Sequence, residues 1–104
     1  MIHIVWEFVV KEGAVEEFER VYGPDGAWAH LFASYPRFRG TALLRDEDTP
    51  RRYLTIDVWE TDSDRRRVLT HEKARYRDLD EAMADLTESE DEIGNFVSVA
   101  GSPI

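Results

Sequence analysis

A chain of 104 residues, 42% hydrophobic and 12% aromatic, is long enough for one buried core and too short for two, so residues 1–104 read as a single domain. A formal net charge of −9 argues against a surface that neutralises phosphates, and no apolar run approaches membrane-spanning length, so neither nucleic acid nor a membrane is expected as a partner. Without cysteine there is no disulfide, thiolate metal site or cysteine nucleophile; with an opening segment that lacks a basic leader, the expected location is cytoplasmic.

From Ile2 to Val10, Ile2, Ile4, Trp6, Phe8 and Val10 alternate with His3, Val5, Glu7 and Val9, which predicts a strand with one wholly apolar face. Lys11-Glu12-Gly13 breaks it. Ala14, Val15, Phe18, Val21 and Tyr22 then recur at helical spacing, with Glu16, Glu17, Glu19 and Arg20 opposite. Gly23-Pro24-Asp25-Gly26 interrupts this helix before Trp28, Leu31, Phe32 and Tyr35 resume the stripe, and Tyr35-Pro36 ends it.

Phe38 to Asp46 and Arg52 to Glu60 read as a hairpin around the polar turn Asp46-Glu47-Asp48-Thr49-Pro50. Thr61-Asp62-Ser63-Asp64 offers a side-chain cap to a long helical region that carries Val68, Leu69, Tyr76, Leu79, Ala82, Met83 and Leu86. A bend is expected near Glu72 to Ala74. Arg65-Arg66-Arg67, interleaved with Asp62, Asp64, Glu72 and Asp78, reads as a solvated helix face. Glu88-Ser89-Glu90-Asp91-Glu92 is expected to be an acidic loop, and Ile93 to Ala100 the last strand.

The order β-α-β-β-α-β predicts an α+β, ferredoxin-like fold: a four-stranded antiparallel sheet with its helices on one face. The other face, with Leu54, Ile56 and Val58 and with Val5 and Val9, is too apolar to leave wet. A homodimer through that sheet face would cover it with one surface used twice.

Ile56-Asp57-Val58-Trp59-Glu60-Thr61 puts a carboxylate and an indole two residues apart on a strand, hence on one face. With the Lys11-Glu12-Gly13 turn into Val15-Glu16-Glu17-Phe18, and Phe38-Arg39-Gly40 leading into the second strand, this segment resembles the antibiotic biosynthesis monooxygenase family of dimeric α+β barrel proteins. The resemblance implies two sheets face to face, with a pocket in each subunit between its sheet and its own helices. It places Trp6 and Trp59 toward the pocket, Tyr53, Thr55 and Asp57 on Trp59's face, and Phe32 and Tyr76 as helix-side walls. It implies a monooxygenase without a cofactor, acting on a small aromatic or polyketide-like molecule, with Asp57 as catalytic proton acceptor.

The quinone-forming branch of the family has an Asn and a Tyr where this chain has Thr55 and Arg65, and the haem-degrading branch differs at Trp6, Val68 and Asp78. The same residues also fit a non-catalytic ligand-binding or dimerisation module, or a cyclase or isomerase using acid/base chemistry. Glu7 falls on the opposite face from Asp57. His30 is expected to be exposed, and no histidine pair has the i, i+4 spacing of a helical metal site, so no metal is expected.

Overall fold

The computed structural model describes residues 1–101. Its elements are β1 (Ile2–Val10), α1 (Val15–Tyr22), α2 (Ala27–Ala33), β2 (Phe38–Arg45), β3 (Arg52–Trp59), α3 (Asp62–His71), α4 (Lys73–Met83), a 3-10 turn at Ala84–Leu86, and β4 (Thr87–Val97). The strands form one antiparallel sheet in the order β2-β3-β1-β4, the ferredoxin-like arrangement. No helix among the described residues is long and apolar enough to cross a membrane.

The period of two in β1 becomes a physical division. Ile2, Ile4, Phe8 and Val10 are buried beneath the helices, while His3, Val5, Glu7 and Val9 lie on the reverse face with their β3 partners Val58, Ile56, Leu54 and Arg52. On the helix side the core is divided in two. One cluster holds Ile2, Ile4, Leu31, Phe32, Trp59 and Val68; the other holds Phe8, Val10, Phe18, Val21, Tyr22 and Tyr53. Trp6 and Trp28 pack against both and bridge them.

The division follows from β3, whose inward face reads Tyr53, Thr55, Asp57, Trp59. Its two polar residues sit where a continuous core would need carbon. Burying a carboxylate under close-packed hydrocarbon is costly, so the helix layer closes over the two ends of the strand and leaves the middle unfilled.

The caps and turns follow local chemistry. Thr61 accepts the Asp64 N–H at 3.1 Å, and its hydroxyl donates to the Asp64 carboxylate at 2.6 Å, which starts α3. In the β2–β3 turn the Asp46 carboxylate accepts the N–H groups of Asp48 and Thr49 at 2.8 and 2.9 Å. The expected bend falls at Glu72, which separates α3 from α4 and accepts the Tyr35 hydroxyl at 2.6 Å.

The last strand differs from expectation. Residues 88–92 are not a loop: β4 runs from Thr87 to Val97 and pairs with β1 at Ser89 to Glu92, with Glu88 skipped at the irregularity between Val9 and Val10 and a second irregularity between Val5 and Trp6. Ser98 to Ala100 lie outside it. Backbone pairing is indifferent to charge on an edge strand whose side chains reach water, and a line of carboxylates there discourages edge-to-edge association.

The α1–α2 corner is held by close backbone approach. A Cβ on Gly26 would lie 2.2 Å from the Val21 carbonyl oxygen and 2.5 Å from that of Arg20. Gly26→Ala is therefore expected to force the corner apart and cost about 1–3 kcal/mol. A chemical denaturation midpoint equal to that of the unsubstituted protein would show that the corner is not so constrained.

Candidate active site

The unfilled middle of the core is a partly open hollow of about 80 Å³. β1 contributes Ile4, Trp6 and Phe8, and β3 contributes Thr55, Asp57 and Trp59; Thr41 enters from β2. The helices close it with Tyr22, Trp28, Phe32, Arg65, Leu69, Tyr76 and Asp80, and Glu90 of β4 completes the wall. Among the described residues no group of three His, Cys, Asp or Glu could hold a metal ion.

Asp57 is the polar centre. It lies between Ile4 of β1 and Thr41 of β2 in the sheet register. The Thr41 hydroxyl donates to one carboxylate oxygen at 2.6 Å, and the other oxygen takes no protein hydrogen bond among the described residues. Burial pushes the carboxyl up from its ordinary 3.8, against the opposing pull of the Thr41 hydrogen bond and the Arg65 charge. Arg65 compensates weakly because Asp62, 3.4 Å away, shares its charge. The site thus holds a carboxylate with a free oxygen and a strengthened affinity for a proton.

The walls are aromatic. Trp59, 2% exposed, is met edge-to-face by Phe32 at 5.3 Å between ring centres and by a tilted Phe38 ring at 5.0 Å. Trp28 meets Tyr76 edge-on at 4.9 Å and lies 6.1 Å from Tyr22. The Trp28 indole nitrogen is buried without a hydrogen-bond partner, the one such side-chain atom among the described residues.

This end of the hollow is electronegative. Burial, then the neighbouring Asp80, raises the Glu90 carboxyl. Burial, Asp80 and Asp57 raise the Tyr76 phenol, and burial pushes Tyr22 up to about 12. Both phenols are therefore protonated at neutral pH.

The structure brings together Asp57, Trp6, Trp59, Thr55, Phe32 and Tyr76, all of which line the hollow. Tyr53 is the exception. It is 2% exposed, packed 5.0 Å from Phe18, with its hydroxyl donating to Glu19 at 2.5 Å, and so belongs to the second core cluster rather than to the wall. It shares a sheet face with Asp57, but α1 lies directly over it. Glu7 is on the reverse face as expected, bonded by Arg52 at 2.9 Å, and His30 is exposed.

Sequence reasoning did not assign Trp28, Tyr22, Thr41, Arg65, Asp80 and Glu90 to the site. One signal was available: Asp80 follows Tyr76 by one helical turn, so a wall at Tyr76 implies Asp80 on the same face. Glu90 needs the β1–β4 register, where it pairs with Phe8. Thr55 and Arg65, the positions at which the chain departs from the quinone-forming pattern, both line the hollow.

Comparison with known proteins agrees with this architecture. A variant of SnoaB, a cofactor-independent oxygenase from Streptomyces nogalater, is 27% identical and superposes with a TM-score of 0.78 over 99% of this chain and 97% of its own. Unsubstituted SnoaB is 25% identical, with a TM-score of 0.72 and the same coverage. An uncharacterised NIPSNAP domain protein from Burkholderia xenovorans, 19% identical, shares the fold over 100% of both chains with a TM-score of 0.71. No curated protein matches the chain. The family model for antibiotic biosynthesis monooxygenases matches residues 1–76, and the chain belongs to that family.

Proposed function

We propose that the protein is a cofactor-independent monooxygenase that oxidises a small phenolic or polyketide-like molecule in the hollow beside Trp59, with Asp57 as proton acceptor. The observation that carries this reading is the unpaired oxygen of Asp57, held among aromatic walls where burial raises its proton affinity. The likeness to SnoaB supports the oxygen chemistry.

In this mechanism the substrate is its own reductant. Asp57 removes one proton from an acidic ring CH2 conjugated with the phenol, and the resulting electron-rich carbanion passes one electron to molecular oxygen. The radical pair joins at carbon as a peroxide anion, which takes the proton back from Asp57 to become a hydroperoxide. Loss of water, together with the remaining C–H proton, turns a ring CH2 into a carbonyl, with one oxygen atom in the product and the other in water. Protonated Tyr22 and Tyr76 are placed to donate to substrate oxygens, and the aromatic walls keep bulk water from the intermediate.

A hollow of about 80 Å³ is well below the ~300 Å³ of pockets that enclose drug-sized ligands, so a multi-ring substrate requires a wall to yield. The wall that yields is α4. It contributes no fully buried residue, and Tyr76 and Leu79 are only partly covered.

The reverse sheet face supports a homodimer. Ile56 and Val58 are already buried in the single chain, but Leu44 is 43% and Phe96 50% exposed on that face beside the partly covered Val5 and Val9, an apolar surface that a second copy would cover.

Oxygen uptake with candidate phenols is expected to fall about 10²- to 10⁴-fold in Asp57→Asn. Undiminished uptake would remove Asp57 from the mechanism. The same substitution is expected to stabilise the fold at pH 7, because a carboxyl whose folded pKa is raised loses stability as pH climbs from its unfolded value through its folded one. The gain should vanish at pH values below 3.8, where Asp57 is neutral in both states. A destabilised Asn variant at pH 7 would contradict the assigned burial. For the dimer, light scattering should give twice the chain mass, and Leu44→Arg should return the monomer; a monomeric unsubstituted protein would refute the sheet-to-sheet interface.

A further inference from the structure

We propose that the groove on the outer side of Trp59 is a second small-molecule site, selective for a flat apolar body that carries one anionic group, as in an aryl carboxylate. The groove is about 290 Å³, larger than the inner hollow, and lies between the Tyr35-Pro36-Arg37 turn and α3. Its floor is Trp59, Val68 and Pro36, and almost all the surface that faces it is carbon. The volume approaches the ~300 Å³ at which pockets begin to enclose small ligands, and suits one or two fused rings.

The rim decides the charge of the occupant. Arg37 and Arg67 flank the groove, and the one carboxylate lining it, Asp64, is 3.8 Å from the first and 3.6 Å from the second, beyond good hydrogen-bond reach. The other Asp64 oxygen is occupied by the Thr61 hydroxyl. Arg37 is further engaged with Glu60 at 2.8 Å. Arg67 makes no hydrogen bond among the described residues and its side chain is 74% exposed, which leaves its planar set of donors open to a carboxylate.

This cationic rim stands in a chain of net charge −9, directly behind an inner hollow lined by Asp57, Asp80 and Glu90. The two cavities share Trp59 as their partition. An occupant of the groove braces the same indole that walls the inner site. The inference does not depend on oxygenase activity.

Adjacent residues on α3 separate the two sites experimentally: Val68 lines the groove and Leu69 lines the inner hollow. Titration of the methyl-labelled protein with 2-naphthoate, and with 2-naphthylmethanol as uncharged analogue, is expected to shift the Val68 methyl signals and spare those of Leu69. 2-Naphthoate should bind about tenfold tighter than the alcohol, as for a hydrogen-bonded charge. Arg67→Glu, at an exposed position, should lower 2-naphthoate affinity about tenfold and leave the alcohol unchanged. Shifts at Leu69 instead of Val68, equal affinities for acid and alcohol, indifference to Arg67→Glu, or no binding of 2-naphthoate would each overturn the proposal.

Discussion

The structure depends on one constraint: Asp57 points inward from the middle of the sheet, where the helix layer must close over it. A buried ion without full compensation is among the most expensive features a small domain can carry. Thr41 supplies one hydrogen bond and Arg65 a shared charge, which is less than the carboxylate needs. The chain meets the remaining cost by leaving the space above Asp57 unfilled. The split core, the hollow and the aromatic rims around it are consequences of that residue and of Thr55 beside it.

The arrangement also divides the residues that build the pocket from those that give it polar groups. Trp59, the Thr61 cap that follows it and the Phe38 contact that fixes the indole build the pocket. The polar groups are Thr55 and Arg65 in the hollow and Asp57, raised in proton affinity. A site with one basic oxygen, two phenol donors and aromatic walls is suited to removing a proton from a flat molecule and sheltering the anion formed. Its carboxylates disfavour a substrate that arrives already charged.

Much of the fold was legible because it rests on local periodicity. β1 declares its faces in every second residue, Asp46 and Thr61 announce a turn and a cap, and Glu72 breaks the long helical stripe where its side chain is drawn to Tyr35. The acidic run before Ile93 misled because hydrophobic pattern is silent about an edge strand, where backbone pairing alone decides. The site was legible along β3, since Asp57 and Trp59 share a face by strand geometry. It was illegible where tertiary overlay decides: nothing in the spacing of Tyr53 from Asp57 says that α1 covers one and spares the other. Trp28 reads as core by its helical spacing and is core, yet it also lines the hollow, a dual role that only the packing shows.

The most direct test of the account is the ionisation of Asp57 itself, followed by carboxyl carbon NMR across a pH titration of the unsubstituted protein. The account predicts a midpoint clearly above the ordinary 3.8, because burial outweighs Thr41 and Arg65. A midpoint at or below that value would show a well-compensated structural carboxylate, and would contradict both the origin assigned to the hollow and the role assigned to Asp57.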